Sequence, residues 1–410
     1  MKVKFFTLGC KVNQYETQAL KERFLSLGHE ISKKKADLYI INTCSVTHRA
    51  DVKSKEAVLK AKKENPQAKI AVAGCLAELN GNFIERLRVD YIIPQSKKHQ
   101  LANMILGLSS NQSNDVWSLK VSESSNHRAY VKIQDGCDNF CSFCKIPFLR
   151  GRSRSRKVKD IIDEVKRLSL AYKEIVICGV NLGLYGRDLD YNLSDLVEEI
   201  LKLPHLGRLR LSSLEPFFVD KRLFLLLKNK KFCPHFHFPF QYGDDKVLGL
   251  MNKKESVRMY EGLVNSARAV YPDTAISCDI IVGLPNETEE TFKNTVKFLK
   301  RIMPMRMHIF TFSPRDKTAL SGFKTKGHRE IRKRYNYLRS LADDFSNQYK
   351  NKFIGKTLDL ITEEKVNNLI SGHTENYLKV YIKEKAVLGK ILPVKINKIE
   401  KNKIFGSICN

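Results

Sequence analysis

Three short apolar runs near the start of the chain each end at a cysteine: Val3–Leu8 before Cys10, Leu38–Ile41 before Cys44, and Ile70–Ala73 before Cys75. Helical patterns follow them, over about Tyr15–Leu27 with Gly28 as a stop, Thr47–Lys63 ahead of Pro66, and Gly81–Leu87. Strands that alternate with helices build a parallel sheet, and a parallel sheet gathers all its strand C-termini along one edge. Three cysteines distant in sequence thereby reach one rim. A single cysteine in such a place reads as core; three at the same strand-end position read as a metal site, with three buried free thiols as the competing reading.

The alternation restarts beyond Ser109–Ser125, a Ser/Asn-rich stretch that reads as a linker. Strands are expected at Ala129–Gln134, Glu174–Cys178, Arg208–Ser212, His235–Phe240, Ala275–Val282 and Met307–Phe312, with helices between them. Six βα units predict a partial barrel whose active site faces the strand C-termini. Residues 323–356 then carry ten Lys/Arg against three acids, with a helical pattern over His328–Tyr349. Short alternating strands follow at Thr357–Ile361, Tyr377–Ile382 and Ile391–Ile399, the pattern of a small β-barrel. The expected class is α/β. It comprises an N-terminal parallel-sheet domain (1–108), a linker (109–125), a partial (β/α)6 barrel with a basic helix (126–350), and a small β-barrel (351–410).

The 410 residues include 72 Lys and Arg against 44 Asp and Glu, a net charge of +28. Such an excess points to a polyanionic partner, nucleic acid ahead of a membrane surface, with a lysine-rich composition bias as the plain alternative. No apolar run approaches the ~18 residues of a membrane helix. Ten cysteines are too sparse for a disulfide scaffold, and the opening apolar run is too short for a secretion signal. A reducing compartment, the cytoplasm, is therefore expected, where grouped cysteines hold metal or do chemistry.

The sequence Cys137-Asp138-Asn139-Phe140-Cys141-Ser142-Phe143-Cys144 follows the first strand of the central unit. Three thiolates so spaced can bind one face of an iron–sulfur cluster and leave one iron open. A closed zinc site, the competing reading, wants a fourth ligand, and no further Cys or His lies nearby in sequence. Lys145–Lys159 then holds seven Lys/Arg and no acid. In an extended segment the alternating Arg150, Arg152, Arg154 and Arg156 project to one side, suited to phosphates, or instead to a cofactor carboxylate or a bridge between domains. Arg329–Arg339 interleaves Tyr335 and Tyr337, and the tail sets Tyr377 and Tyr381 beside Lys379 and Lys383. The first suits contact with an RNA backbone, against a solvated helix face, and the second suits stacking on unpaired bases, against a strand core. Cys178, Cys233, Cys278 and Cys409 have no clustered partners and read as structural.

Cys137, Cys141 and Cys144, with Phe143, resemble the radical S-adenosylmethionine (SAM) signature. Thr7-Leu8-Gly9-Cys10-Lys11-Val12-Asn13, Asn42-Thr43-Cys44, Ala73-Gly74-Cys75, Leu149–Arg156, Gly179-Val180-Asn181, Leu211–Pro216, His237-Phe238-Pro239 and Asp279–Gly283 extend the likeness over nearly the whole chain, to the methylthiotransferase family. Gly372–Tyr377 resembles a TRAM domain, a small RNA-binding barrel. Gly-Cys-Lys-Val-Asn at 9–13 is most similar to the branch acting on N6-threonylcarbamoyladenosine of tRNA. The chain departs from the family pattern at Tyr242, where Ser is usual, and at Asn286 and Lys317, where Gly is usual.

The resemblance implies an enzyme that adds a methylthio group to C2 of N6-threonylcarbamoyladenosine next to the anticodon, with SAM as both radical source and methyl donor. Within the family the alternatives are isopentenyl-adenosine of tRNA or an aspartate of a ribosomal protein. The alternative from another class is a non-catalytic, zinc-stabilised RNA-binding protein. Two 4Fe–4S clusters are implied, an auxiliary one on Cys10, Cys44 and Cys75 and the SAM-binding one on Cys137, Cys141 and Cys144. Around the cofactor, Phe143 is expected near the adenine, Gly179 at a close backbone approach, Ser213 and Glu215 at the ribose or amino group, and Gln241 at the barrel mouth. The expected partners are a tRNA anticodon stem–loop on Arg150, Arg152, Arg154, Arg156 and Tyr377, a reducing electron donor and a sulfur donor, with no membrane.

Overall fold

The computed structural model describes residues 1–79, 84–109, 115–124, 126–323 and 327–409. Its N-terminal sheet comprises β1 (Lys2–Thr7), β2 (Glu30–Ile31), β3 (Leu38–Thr43), β4 (Lys69–Gly74) and β5 (Tyr91–Pro94), all parallel in the order β2-β1-β3-β4-β5. Every residue of β3 is buried, and the period of two divides them between the faces. Tyr39 and Ile41 pack with Ala57, Val58 and Ala61 of helix α2 (His48–Glu64), while Leu38 and Ile40 pack with Leu20 and Phe24 of helix α1 (Lys11–Ser26). The central strands end level, with Thr7 opposite Asn42 and Thr43 opposite Gly74. The helix expected over Gly81–Leu87 falls partly on 80–83, outside the described residues.

The polar segment after residue 109 is not a free tether. Tyr15 donates its hydroxyl to the Leu119 carbonyl at 3.0 Å, the Ser122 and Glu123 amides donate to Glu22, and Val121 is buried. Residues 110–114 and 125 of the expected linker lie outside the described residues.

The central unit contains β6 (Ala129–Lys132), the short antiparallel pair β7 (Gln134–Asp135) and β8 (Arg154–Ser155), then β9 (Glu174–Cys178), β10 (Arg208–Leu211), β11 (His235–Gln241), β12 (Ala275–Val282) and β13 (Arg306–Thr311). β6-β9-β10 and β11-β12-β13 are parallel sheets, joined by the bridges Leu209–Phe232 and Ser213–His237. The result is the expected six-stranded partial barrel. A 24-residue helix, His328–Asn351, leads from it to a closed barrel of β14 (Thr357–Val366), β15 (Leu369–His373), β16 (Lys379–Ile382), β17 (Ile391–Glu400) and β18 (Lys403–Ile408). The sequence reading missed β15 and β18. The signal was present in Asn367-Asn368 and Lys401-Asn402, four residues with positive φ at hairpin turns, where type I′ geometry favours Asn.

The small barrel docks on the strand N-termini of the central unit. Arg208 donates to the Asp359 and His373 carbonyls at 2.6 and 2.8 Å, and Arg210 to those of Thr374 and Glu375, both at 3.0 Å. Glu174 at the start of β9 accepts from Arg208 and Arg210 and pairs with Arg128. Tyr377 is locked into this junction: its ring stacks on His235 and His373, at 4.4 and 4.7 Å, with the Arg210 guanidinium 4.8 Å from its centroid. The expectation that Tyr377 stacks on RNA bases is corrected, because imidazoles and guanidiniums already occupy its ring.

Burial pushes the Glu174 carboxyl up, and the guanidiniums of Arg208, Arg210 and Arg128 more than reverse this, holding it far below its ordinary value. A depressed folded-state pKa contributes stability that is fully present above the ordinary carboxyl range and is lost progressively as pH falls from about 4 towards the lower folded-state value. Glu174→Gln leaves Arg208 and Arg210 without their anion, while Arg128 keeps Glu363, and is expected to lower unfolding free energy by about 3–5 kcal/mol in urea titration at neutral pH. The gap between variant and wild type is expected to narrow below about pH 4.

Candidate active site between two cysteine triads

Cys10 follows β1 as the N-cap of α1, Cys44 follows β3, and Cys75 follows β4 as the first residue of helix α3 (Cys75–Leu79). Gly9 has φ +91°, and a Cβ there would lie 2.7 Å from Cys44 Cβ and 2.9 Å from its Sγ. Only a glycine lets the two turns meet. Asn13 Nδ2 donates to the Leu8 carbonyl at 2.7 Å and the Thr43 carbonyl at 3.0 Å, fixing the first cysteine turn to the second. Cys44 and Cys75 are buried and Cys10 is exposed. Burial pushes the Cys44 thiol up to about 12, against the Val46 amide bonded to its sulfur, and raises Cys75 as well. Such thiols stay protonated until a cation displaces the protons.

The second triad lies between β7 and the short helix Ile146–Arg150. Its loop is held from three sides. The Cys137 amide donates to Gly151 at 3.1 Å, Ser142 donates to Met251 at 3.0 Å, and the Ser142 carbonyl accepts from Leu320 at 2.9 Å. Asn181 Nδ2 donates to Cys137 Sγ at 3.7 Å, and the Ile146 amide donates to the Cys144 sulfur. Burial raises all three thiols, Cys144 to about 12. One tetrahedral zinc ion draws its thiolates to about 3.8 Å from each other. Among the described residues, the one set of three His, Cys, Asp or Glu ligand atoms within 4.8 Å of one another is His237, Asp279 and His308, so neither cysteine triad is drawn in for a single ion. Three thiols whose sulfurs receive N–H donors, as at Cys44, Cys137 and Cys144, suit iron–sulfur ligation, where such hydrogen bonds tune the cluster.

A buried ion network connects the triads. Glu16 of α1 meets Lys132 at 2.8 Å, Lys98 at 2.7 Å and Arg150 at 3.0 Å; Asp135 meets Lys132 at 2.7 Å and Arg150 at 2.9 Å. All five side chains are at most 2% exposed. Burial opposes ionisation of both acids, and Arg150, Lys132 and Lys98 overcome it at Glu16, while Lys132 and Arg150 hold Asp135 down at about 2. Arg150 also reaches Asn13 Oδ1 at 2.7 Å. Arg156 is likewise interior, 2.6 Å from Glu164.

The expectation that four arginines face RNA phosphates is therefore corrected for Arg150 and Arg156. The segment is not one extended strand: it leaves a helix at Arg150 and turns at Gly151, where φ is +74°. Arg152 and Arg154 are exposed, and Arg152 lies 3.1 Å from Asp138. Glu16, Lys98, Lys132 and Asp135 were missed by sequence reasoning. Lys132 and Asp135 within an otherwise apolar strand region were the available signal.

A cavity of ≈ 230 Å³ lies between the loop after Cys44 and the C-terminal ends of β11–β13, lined by Thr47, Phe143, Cys144, Lys145, Gln241 and Asp279 among others. Phe143 and Gln241 both line it, Gln241 with φ +67° at a register shift in β11. Ser213, Glu215 and Gly179 are not in its wall. Ser213 bridges to His237. Glu215 is paired to Lys253, itself 3.6 Å from Glu255; burial raises the Glu215 carboxyl to about 8 against the pull of Lys253. A Cβ on Gly179 would meet Gln134 at 3.0 Å, so that glycine makes room for Gln134, whose Oε1 accepts from the Asn181 amide at 2.8 Å. Arg315, absent from the sequence reading, donates to the Ser45 carbonyl at 3.1 Å and pairs with Asp51, pinning the loop that carries Cys44. Asn286 and Lys317 have φ of +61° and +64°, which explains why glycine suits both places. Tyr242 is buried, its hydroxyl 3.3 Å from Thr291 Oγ1.

Residues 2–93 match the uncharacterized protein family UPF0004, and residues 131–299 match the radical SAM superfamily. The chain is 36% identical to the threonylcarbamoyladenosine tRNA methylthiotransferase MtaB of Aquifex aeolicus, over 97% of this chain and 100% of that protein. It is 33% identical to the Bacillus subtilis protein of the same name, over 97% and 94%. With a tRNA-2-methylthio-N(6)-dimethylallyladenosine synthase of Staphylococcus haemolyticus it shares 32% identity, over 98% and 84%. In fold it resembles the radical SAM methyltransferase TsrM of Kitasatospora setae, with a TM-score of 0.57 at 14% identity, over 75% of this chain and 72% of that one.

Two substitutions test this geometry. Gly9→Ala, disfavoured by both its φ and its contact with Cys44, is expected to cost about half of the bound iron while leaving the second triad loaded. Arg150→Ala, which takes one cation from both Glu16 and Asp135 and leaves them Lys132 and Lys98, is expected to cost about 1.5–3 kcal/mol in denaturant unfolding. Arg152→Ala at the surface is expected to change stability by no more than about 0.5 kcal/mol.

Proposed function

The chain belongs to the tRNA methylthiotransferase family of radical SAM enzymes, and we propose that its substrate is N6-threonylcarbamoyladenosine beside the anticodon, methylthiolated at C2 with SAM as both radical source and methyl donor. The supporting observation is the 36% identity to a protein named for this substrate, over 97% of this chain and the whole of that protein. A 4Fe–4S cluster and SAM are the cofactors of the superfamily, and methylthiotransferases carry a second cluster.

We assign the SAM-binding cluster to Cys137, Cys141 and Cys144 and the auxiliary cluster to Cys10, Cys44 and Cys75. When bound, these groups supply the reductive cleavage of SAM to methionine and a 5′-deoxyadenosyl radical, and the sulfur for transfer. The chain's part is placement. The level ends of β1, β3 and β4 hold one triad, and the pinned loop after β7 holds the other. The ion network and the Arg315–Asp51 pair tie the units that carry the two triads together, and the cavity between them is lined by Cys144 of one triad and by Val46 and Thr47 of the loop after Cys44. Phe143 and Gln241 line it, and the exposed Arg152 and Arg154 flank the second triad as phosphate contacts. A reducing electron donor and a sulfur donor complete the set of partners.

Anaerobically reconstituted protein is expected to be brown with about eight irons, falling to about four when either triad is changed to Ala. A colourless zinc protein would sink this assignment. Nucleoside mass spectrometry of tRNA from a deletion strain is expected to show 2-methylthio loss on threonylcarbamoyladenosine alone. Loss on isopentenyl-adenosine instead would move the enzyme to the other tRNA branch, and a change in a ribosomal-protein peptide would take it out of tRNA.

A further inference from the structure

Three adjacent strands bring polar side chains together at one level of the barrel: His237 on β11, Asp279 on β12 and His308 on β13. Asp279 and His308 are opposite each other in the register. Asp279 Oδ2 lies 3.1 Å from His237 Nε2, and its Oδ1 lies 3.0 Å from His308 Nδ1. The two imidazoles stack at 5.3 Å. Each carboxylate oxygen thus lies beside one imidazole nitrogen, and a carboxylate, which only accepts, favours the tautomer of each ring whose N–H faces it. The remaining nitrogens, His237 Nδ1 and His308 Nε2, have no protein hydrogen-bond partner among the described residues.

This assembly adjoins the cavity beside Cys144. Asp279 is part of the cavity wall, and the His308 side chain is 40% exposed. The rest of that wall is largely apolar, with Ile281, Phe310 and Phe312. Lys145 also lines it, is 2% exposed, and has an ammonium without a hydrogen-bond partner. Free hydrogen-bonding groups beside an apolar cavity discriminate strongly between ligands, because a ligand that cannot pair with them leaves them desolvated and unsatisfied.

We propose that His237 and His308, oriented by Asp279, form the subsite that receives the N6 substituent of the substrate adenosine and selects a hydrogen-bonding, carboxylate-bearing group over an alkenyl one. A threonylcarbamoyl group offers urea N–H and hydroxyl donors to the imidazole lone pairs, and its carboxylate matches the charge of Lys145. An isopentenyl group offers none of these and leaves both imidazoles unpaired. Asp279 is a positioning residue here. The inference rests on the substrate reading above and names the side chains that enact it.

The test uses the reconstituted holoenzyme and three anticodon stem–loop oligonucleotides, carrying threonylcarbamoyladenosine, its threoninamide analogue, or isopentenyl-adenosine. Dissociation constants come from fluorescence anisotropy and kcat/KM from methylthio product. In wild type the order is expected to be acid, then amide, then isopentenyl. His308→Phe is expected to weaken the acid oligonucleotide about tenfold or more without weakening the isopentenyl one. His308→Gln, which keeps one hydrogen-bonding group, is expected to lie between. Thermal melting and iron content show whether each variant is folded and loaded. Equal losses on all three oligonucleotides, or an unchanged preference in both folded variants, overturns the subsite. So does a stoichiometric divalent ion that the variants lose. If wild type itself prefers isopentenyl-adenosine, the substrate reading falls first, and this result is separate from the others.

Discussion

Two carboxylates and three cations, sealed from water between the N-terminal sheet and the partial barrel, decide how the rest of the molecule is arranged. Glu16 comes from the first helix, Lys98 from the turn after β5, and Lys132, Asp135 and Arg150 from the barrel entrance. An ion group of this kind contributes little net stability relative to an apolar core, and its value is registry: separating the units would break the Glu16 pairs with Lys132 and Arg150 and leave each half of the network short of a partner. The formal sum is one positive charge in excess. Cys75 and Cys10 lie close enough to Arg150 to favour its charged form. Deprotonation of those thiols would therefore be favoured by a positive charge that the fold leaves uncompensated.

The strand-end cysteines were legible in the sequence because they depend only on local alternation and on the rule that parallel strands share an edge. Six barrel strands were found for the same reason. Arg150 and Arg156 were misread because period-two alternation carries meaning only in an extended chain, and Gly151 ends that geometry one residue after Arg150. Their partners lie far off in sequence: Glu16 is 134 positions from Arg150. No local pattern reveals such a pair. Tyr377 was misread for a related reason, since its surroundings come from His235 and Arg210 in another unit.

Positions where the chain departs from the family's usual glycine have their own physical logic. Asn286 stands where left-handed backbone costs a short amide residue less than most, and Lys317 adopts the same conformation although its residue type is not favoured there. The turn containing Asn286 is supported by Glu287, which accepts from the Gly283 and Leu284 amides and pairs with Arg334. Neither departure touches a sulfur.

The small barrel is fastened at the strand N-termini, whereas the reaction cavity opens at the opposite ends. β12, eight residues long, spans about 25 Å between them. The terminal barrel and the cavity thus stand about a strand's length apart, so a ligand that touches both must itself reach across about 25 Å: a small molecule can meet one or the other, and only a large folded one can meet the two together.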